Sequence, residues 1–255
     1  MSGKPVPLTR LFLSLFLAAL QPTLSSAAFQ DFRYIELPGG DLVEAEINSA
    51  GDVFLLMRGL PHLVIAWADG STTEYDLGEI VLPGGMCVDQ TWGWYATGEV
   101  TDMVYRYDRS GVLMDSWEAG SLPGDISISG LSVIYVSRAE GSIRSLRNPD
   151  TEVARLQGSG GGRLVPFGDR FVYSAPDESM ILGEFHARQP LPASGAWSAM
   201  GETLVVLLDS CLCTRDGTEL FRLPAGQEFS RISFSSGGGY CLLWSPGEER
   251  AMVLR

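Results

Sequence analysis

The 255-residue chain carries 18 Lys+Arg against 31 Asp+Glu, a net charge of −13, with 45% hydrophobic residues, 30 Gly and 14 Pro. An acid excess of this size argues against binding a phosphate backbone, which depends on clustered Lys and Arg. The two histidines, His62 and His186, lie far apart and make no His-rich metal cage, and Lys4 as the sole lysine leaves the rest of the chain without Schiff-base or P-loop lysine chemistry.

Residues 1–28 read as a signal peptide. Lys4 and Arg10 form a positive start, Leu11 to Leu20 an apolar core, and Ser25 to Ala28 a small-residue cleavage region. Loss of this leader removes two cations and no acid, taking the net charge from −13 to −15. No later run approaches the ~18 unbroken apolar residues of a membrane helix. A periplasmic or secreted protein, monomeric and without an integral membrane segment, is the expectation.

From residue 29 onward the pattern is short runs of Val, Ile, Leu, Tyr and Phe between turns of Gly, Asp, Ser or Pro. Asp52–Arg58, His62–Ala68, Met103–Asp108, Ser132–Arg138, Arg170–Ala175 and Thr203–Asp209 are examples. Such spacing predicts an all-β fold. Its period comes from a recurring junction: LPGG at Leu37 and Leu82, LPGD at Leu122, LPAG at Leu223, with weaker copies at Val165 and Leu191. Six units of about 40 residues predict a six-bladed β-propeller spanning residues 29–255 as one domain. The shorter spacing of the last three units leaves room for a three-stranded blade among them. The clearest unit, Leu82 to Gly120, predicts four strands: GGMCVD, WGWYAT, MVYRYD and GVLMDSWEA. FRYIEL (Phe32–Leu37) precedes the first junction as TELFRLPAG does the last, so the N-terminal strand is expected to complete the final blade and remove an open sheet edge.

The stretch Leu82 to Trp117 resembles an NHL repeat: a Pro-Gly opening, an apolar-Val-Asp strand end, Tyr-Ala-Thr-Gly, then Tyr-Arg-Tyr-Asp followed by Gly. This likeness to the NHL-repeat and six-bladed propeller group implies a binding or scaffold role, with lactonases and lyases a minority. Gluconolactonase-like members place a metal-binding aspartate where this chain has Gly84. Glu44 is the candidate for their early glutamate ligand, and the asparagine ligand has no counterpart here.

Four acids lie on or beside candidate inner strands: Glu44, Glu46, Asp89 and Asp125. Converging on the channel, they would form a divalent-cation site; the alternative is solvated or turn-forming acids in an acidic chain. Trp92 and Trp94 are the candidate binding platform for a sugar or peptide, against the alternative that tryptophans fill the wedges between blades. Asp52, Asp69 and Asp108 read as turn residues, the histidines as structural, and the cysteines as buried and apolar. Cys211 and Cys213, two apart on one strand, share a face. With no GxSxG elbow and no consistent catalytic set, the reading is an exported, non-catalytic module for a protein or glycan partner, without a cofactor. The alternative is a divalent-metal hydrolase of the sugar-lactonase type.

Overall fold

The computed structural model describes residues 29–38, 41–89, 93–120, 122–130, 132–158, 160–183, 188–192 and 195–255. Residues 1–28, read from the sequence as a leader, lie outside the described residues, as do Trp92 and His186. Among the described residues there are strands and no α-helix, hence no helix long and apolar enough to cross a membrane.

The chain opens with β1 (Phe32–Glu36). Blade 1 follows as β2 (Leu42–Ile47), β3 (Val53–Met57), β4 (Leu63–Ala66) and β5 (Thr72–Tyr75), and blade 2 as β6 (Pro83–Asp89), β7 (Gly93–Gly98), β8 (Met103–Tyr107) and β9 (Leu113–Glu118). Blade 3 is β10 (Pro123–Ser129), β11 (Ser132–Ser137), β12 (Ser142–Ser145) and β13 (Glu152–Arg155). Blade 4 is β14 (Arg163–Phe167), β15 (Arg170–Ser174), β16 (Ser179–Leu182) and β17 (Arg188–Leu191). Blade 5 is β18 (Ala196–Met200), β19 (Thr203–Leu207), β20 (Cys211–Thr214) and β21 (Glu219–Arg222). Blade 6 takes β22 (Arg231–Phe234), β23 (Cys241–Trp244) and β24 (Arg250–Leu254), with β1 as its outer strand. All six sheets are four-stranded and antiparallel, so the room left for a three-stranded blade is not used. Blades 4 and 5 fit their shorter repeats with inner strands of five residues, against seven in blades 2 and 3, and keep four-residue third and outer strands as blades 1 and 3 do.

The hydrophobic residues form six clusters, one per blade junction. Alternation along each strand divides the side chains between the two neighbours: Val53, Leu55 and Met57 of β3 pack toward blade 6, while Phe54 and Leu56 pack toward blade 2. Both faces of the middle strands are therefore covered, which is why VFLLM is buried at every position instead of alternating with polar residues. Outer strands face water, as the largely exposed LMDSWE of β9 shows.

The Leu-Pro-Gly junctions form the bends that start inner strands. Leu82 and Leu122 both adopt φ of 53°, and the register shifts just after Pro83 and Pro123. At Gly84 and Gly85 the inner strands of blades 2 and 3 approach so closely that a Cβ would run into the Pro123 carbonyl or the Asp125 backbone. Thr97 Oγ1 closes this contact by donating to the Gly124 carbonyl at 2.7 Å. The motif that set the sequence period is thus where neighbouring blades meet around the axis.

Candidate functional site

Inner strands run along the central channel, and a residue near the start of four of them is charged: Glu44 on β2, Asp125 on β10, Arg163 on β14 and Arg231 on β22. Arg163 organises the others. Its side chain is buried, and one terminal nitrogen lies 2.8 Å from Glu44 Oε1 and 2.6 Å from Glu46 Oε1. The other donates to the Ile232 carbonyl at 2.6 Å. Ser233 Oγ donates to the second oxygen of Glu46 at 2.7 Å. Blade 4 lies across the ring from blade 1, so this guanidinium ties blades 1, 4 and 6 together through the axis. Its Cζ lies 5.9 Å from the centre of the fully buried Trp244 ring, within cation–π range.

The four sequence-predicted acids therefore do not share one site. Glu44 and Glu46 converge, but on a guanidinium. Asp125 stands beside them and accepts the Leu164 N–H at 2.6 Å through Oδ2. Asp89 lines the other half of the channel, a cavity that Glu46 also reaches, together with Ser127, Ser129, Ser233 and Ser235. Among the described residues no three His, Cys, Asp or Glu side chains come together as a metal-holding group. The carboxylates present do not fit a divalent cation, since a fixed positive charge already holds the position where their oxygens meet.

Burial raises the Glu46 carboxyl to about 7; the Glu44 charge adds to this, and Arg163 and Ser233 oppose it. Burial, then Glu44, raises Asp125 to about 8 against Arg163 and the Leu164 N–H. For Arg163, burial works against the charge, yet Glu44, Glu46 and Asp125 together hold its pKa above the ordinary value. Acids raised from ordinary values of 4.5 and 3.8 keep protons that the unfolded chain has released. Their contribution to stability is complete below about pH 4 and is lost as pH rises toward 8. The depressed acids Asp69, Asp108 and Asp216 act only below their ordinary value of 3.8. Denaturation midpoints are thus expected to fall steadily from pH 5 to 8, with a smaller slope in Asp125→Asn; a flat wild-type profile would contradict this assignment.

The tryptophan platform requires a correction. Trp94 is 1% exposed and stacks on Tyr107 with ring centroids 4.1 Å apart, inside the wedge between blades 1 and 2. Its position on β7 turns it toward the neighbouring blade, not to solvent. Trp197 and Trp244 are likewise buried. The turn reading of Asp108 and the structural reading of His62 agree with the geometry. Asp108 Oδ1 accepts from the backbone of Ser110 and Val112, and His62 Nδ1 accepts the Leu77 N–H at 3.1 Å. All four cysteines are free, with Cys211 and Cys213 Sγ in contact at 3.3 Å on their shared face.

Sequence reasoning missed Arg163 and Arg231. The available signal was charge at the head of a short apolar strand, where other blades carry Pro-Gly.

This arrangement of six four-stranded sheets around a polar axis defines a six-bladed β-propeller. No protein-family model matches the sequence, and no curated protein is similar to it. Among solved structures it is similar to a virginiamycin B lyase from Staphylococcus aureus (13% identity, 88% of this chain and 99% of that one, TM-score 0.60). It is also similar to a gluconolactonase from Xanthomonas campestris (14% identity, 91% and 92%, TM-score 0.63). A third such structure is the BBS1 N-terminal region in complex with ARL6 (13% identity, 84% and 77%, TM-score 0.57). At these identities the likeness concerns the fold.

Proposed function

We propose that the chain is an exported, non-catalytic binding propeller that presents one rim of the ring to a protein or glycan. The observation that carries this reading is the Arg163 guanidinium between Glu44 and Glu46, where a metal-dependent hydrolase of this architecture would need those oxygens for its cation. A buried ion pair of this kind fixes geometry across the ring. It supplies neither an activated nucleophile nor an open coordination position. The BBS1 region, a similar fold captured with a protein partner, supports the same reading.

The test is thermal unfolding of the protein with EDTA, Ca²⁺, Mg²⁺, Mn²⁺ and Zn²⁺ in turn. An ion present at 100 times its dissociation constant would add about 2.7 kcal/mol. For a domain of this size each kcal/mol moves the midpoint by roughly 2–4 °C. No shift is expected with any ion. A rise reversed by EDTA would overturn the reading and favour the hydrolase.

A further inference from the structure

We propose that the arginine-lined mouth of the channel, above Arg163, is a binding site for a small oxyanion, the carboxylate or phosphate group of the propeller's ligand. The proposal builds on the binding-propeller reading and names the chemistry of what is bound.

The mouth is a cavity of about 340 Å³ whose lining includes four arginines, Arg58, Arg138, Arg163 and Arg231. They come from four different blades, in a chain whose net charge is −13. Two are neutralised within the fold: Glu44 and Glu46 bind Arg163, while Arg138 pairs with Glu99 and donates to the Gly84 carbonyl at 3.2 Å. Arg231 is half-buried and Arg58 exposed, and neither has an ion-pair partner among the described residues. The remaining acids of the lining are Asp41, exposed at the rim, and the buried Asp125.

A partly desolvated guanidinium with no carboxylate within ion-pair distance is costly, and costlier beside other cations. Burial lowers the pKa of Arg231, and the charges of Arg163 and Arg138 lower it further, against Glu44 and Asp125. The fold nevertheless holds this cation at the mouth, beside the ring of Trp244, whose centre lies 6.0 Å from its Cζ. A guanidinium fork meets a carboxylate or phosphate through paired N–H donors, and an oxyanion seated between Arg231 and Arg58 would supply the direct ion pair that both lack. Gly84, Gly161, Gly162 and Gly247 contribute to the remaining wall, together with Leu42 and Pro246.

Binding is measured on the intact protein by calorimetry and thermal shift with inorganic phosphate, with glucuronate as a carboxylated sugar, and with glucose as a neutral control. One or both anions should bind and raise the unfolding temperature, with affinity falling as salt is added, while glucose does nothing. Phosphate alone, or glucuronate alone, identifies the anion geometry that the site takes. Arg231→Ala should weaken binding at least about tenfold, the effect of removing a charged hydrogen-bond partner. Arg58→Ala, on an exposed side chain that the fold does not need, should weaken it less. Absence of binding by both anions, or binding that neither variant alters, would overturn the proposal. The metal titration judges the broader function separately, because a cation-dependent shift there would not create or remove anion affinity that depends on Arg231.

Discussion

Arg163→Met is expected to destabilise the protein by about 3–5 kcal/mol, the usual cost of breaking a buried ion pair from one side. The substitution conserves much of the side-chain volume but removes the partner of Glu44 and Glu46 together and leaves the Ile232 carbonyl without its donor. In urea the midpoint should fall without a change in slope. On heating, a decrease on the order of 10 °C follows from the entropy of unfolding a domain of this size. The pH dependence separates this cause from a simple packing defect. Without the guanidinium, burial drives the Glu46 carboxyl further toward the protonated form, so the deficit should be largest near pH 8 and smallest near pH 5. Arg163→Lys keeps a charge but loses the planar fork that reaches two carboxylates and a carbonyl at once, and should fall between. A variant as stable as wild type at pH 8 would show that Arg163 does not serve as the counter-cation of the channel.

The ring itself was legible because each blade repeats two local signals: apolar strands of alternating facing and a Leu-Pro-Gly bend. In blade 2 these recover the strands from Pro83 to Glu118 with their edges nearly in place. The closure was readable because FRYIEL and TELFRLPAG occupy the same place in the repeat. The short outer strands were harder. RQPL of β17 is polar and carries a proline, tolerated on an outer strand because no ladder hydrogen bond is needed from its nitrogen. An apolar run cannot mark such a strand. For the site, the repeat register identifies which residues begin inner strands but not which strands face each other through the axis. Glu44 and Glu46 stood out as acids, whereas Arg163, 117 residues from Glu46, has no local relation to them. Trp94 was misread for a related reason: in a propeller both faces of a middle strand are interior, so an aromatic on either face is wedge packing.

Removing residues 29–37 should abolish the cooperative fold. The loss is more than a peripheral strand, because β1 alone covers the free edge of β24, pairing in register from Phe32 with Leu254 to Glu36 with Arg250. Leu37 is buried in the wedge between blades 1 and 6, and burial of such a side chain contributes about 1.5–3 kcal/mol. Phe29 stacks on Phe234 at the other end of the strand, with centroids 6.3 Å apart. Together with the lost ladder, these contacts approach the whole stability of an ordinary domain, about 5–15 kcal/mol. The truncated chain should therefore appear as soluble aggregates or in insoluble material, with an exposed edge free to pair between molecules. A permuted chain tests whether closure, and not the presence of the peptide in its native order, is what matters. Asp31 N–H donates to the Arg255 carbonyl at 3.3 Å and Arg255 N–H to the Asp31 carbonyl at 3.0 Å, so the two ends already meet as the arms of a hairpin do. Carrying residues 29–38 after Arg255 through a short Gly-Asn turn, with the chain opened before Asp41, should restore a monomer whose unfolding is cooperative. If the truncated protein instead melts as the full-length ring does, β1 is ornamental and the ring is closed by the contact of β22 with β2 alone.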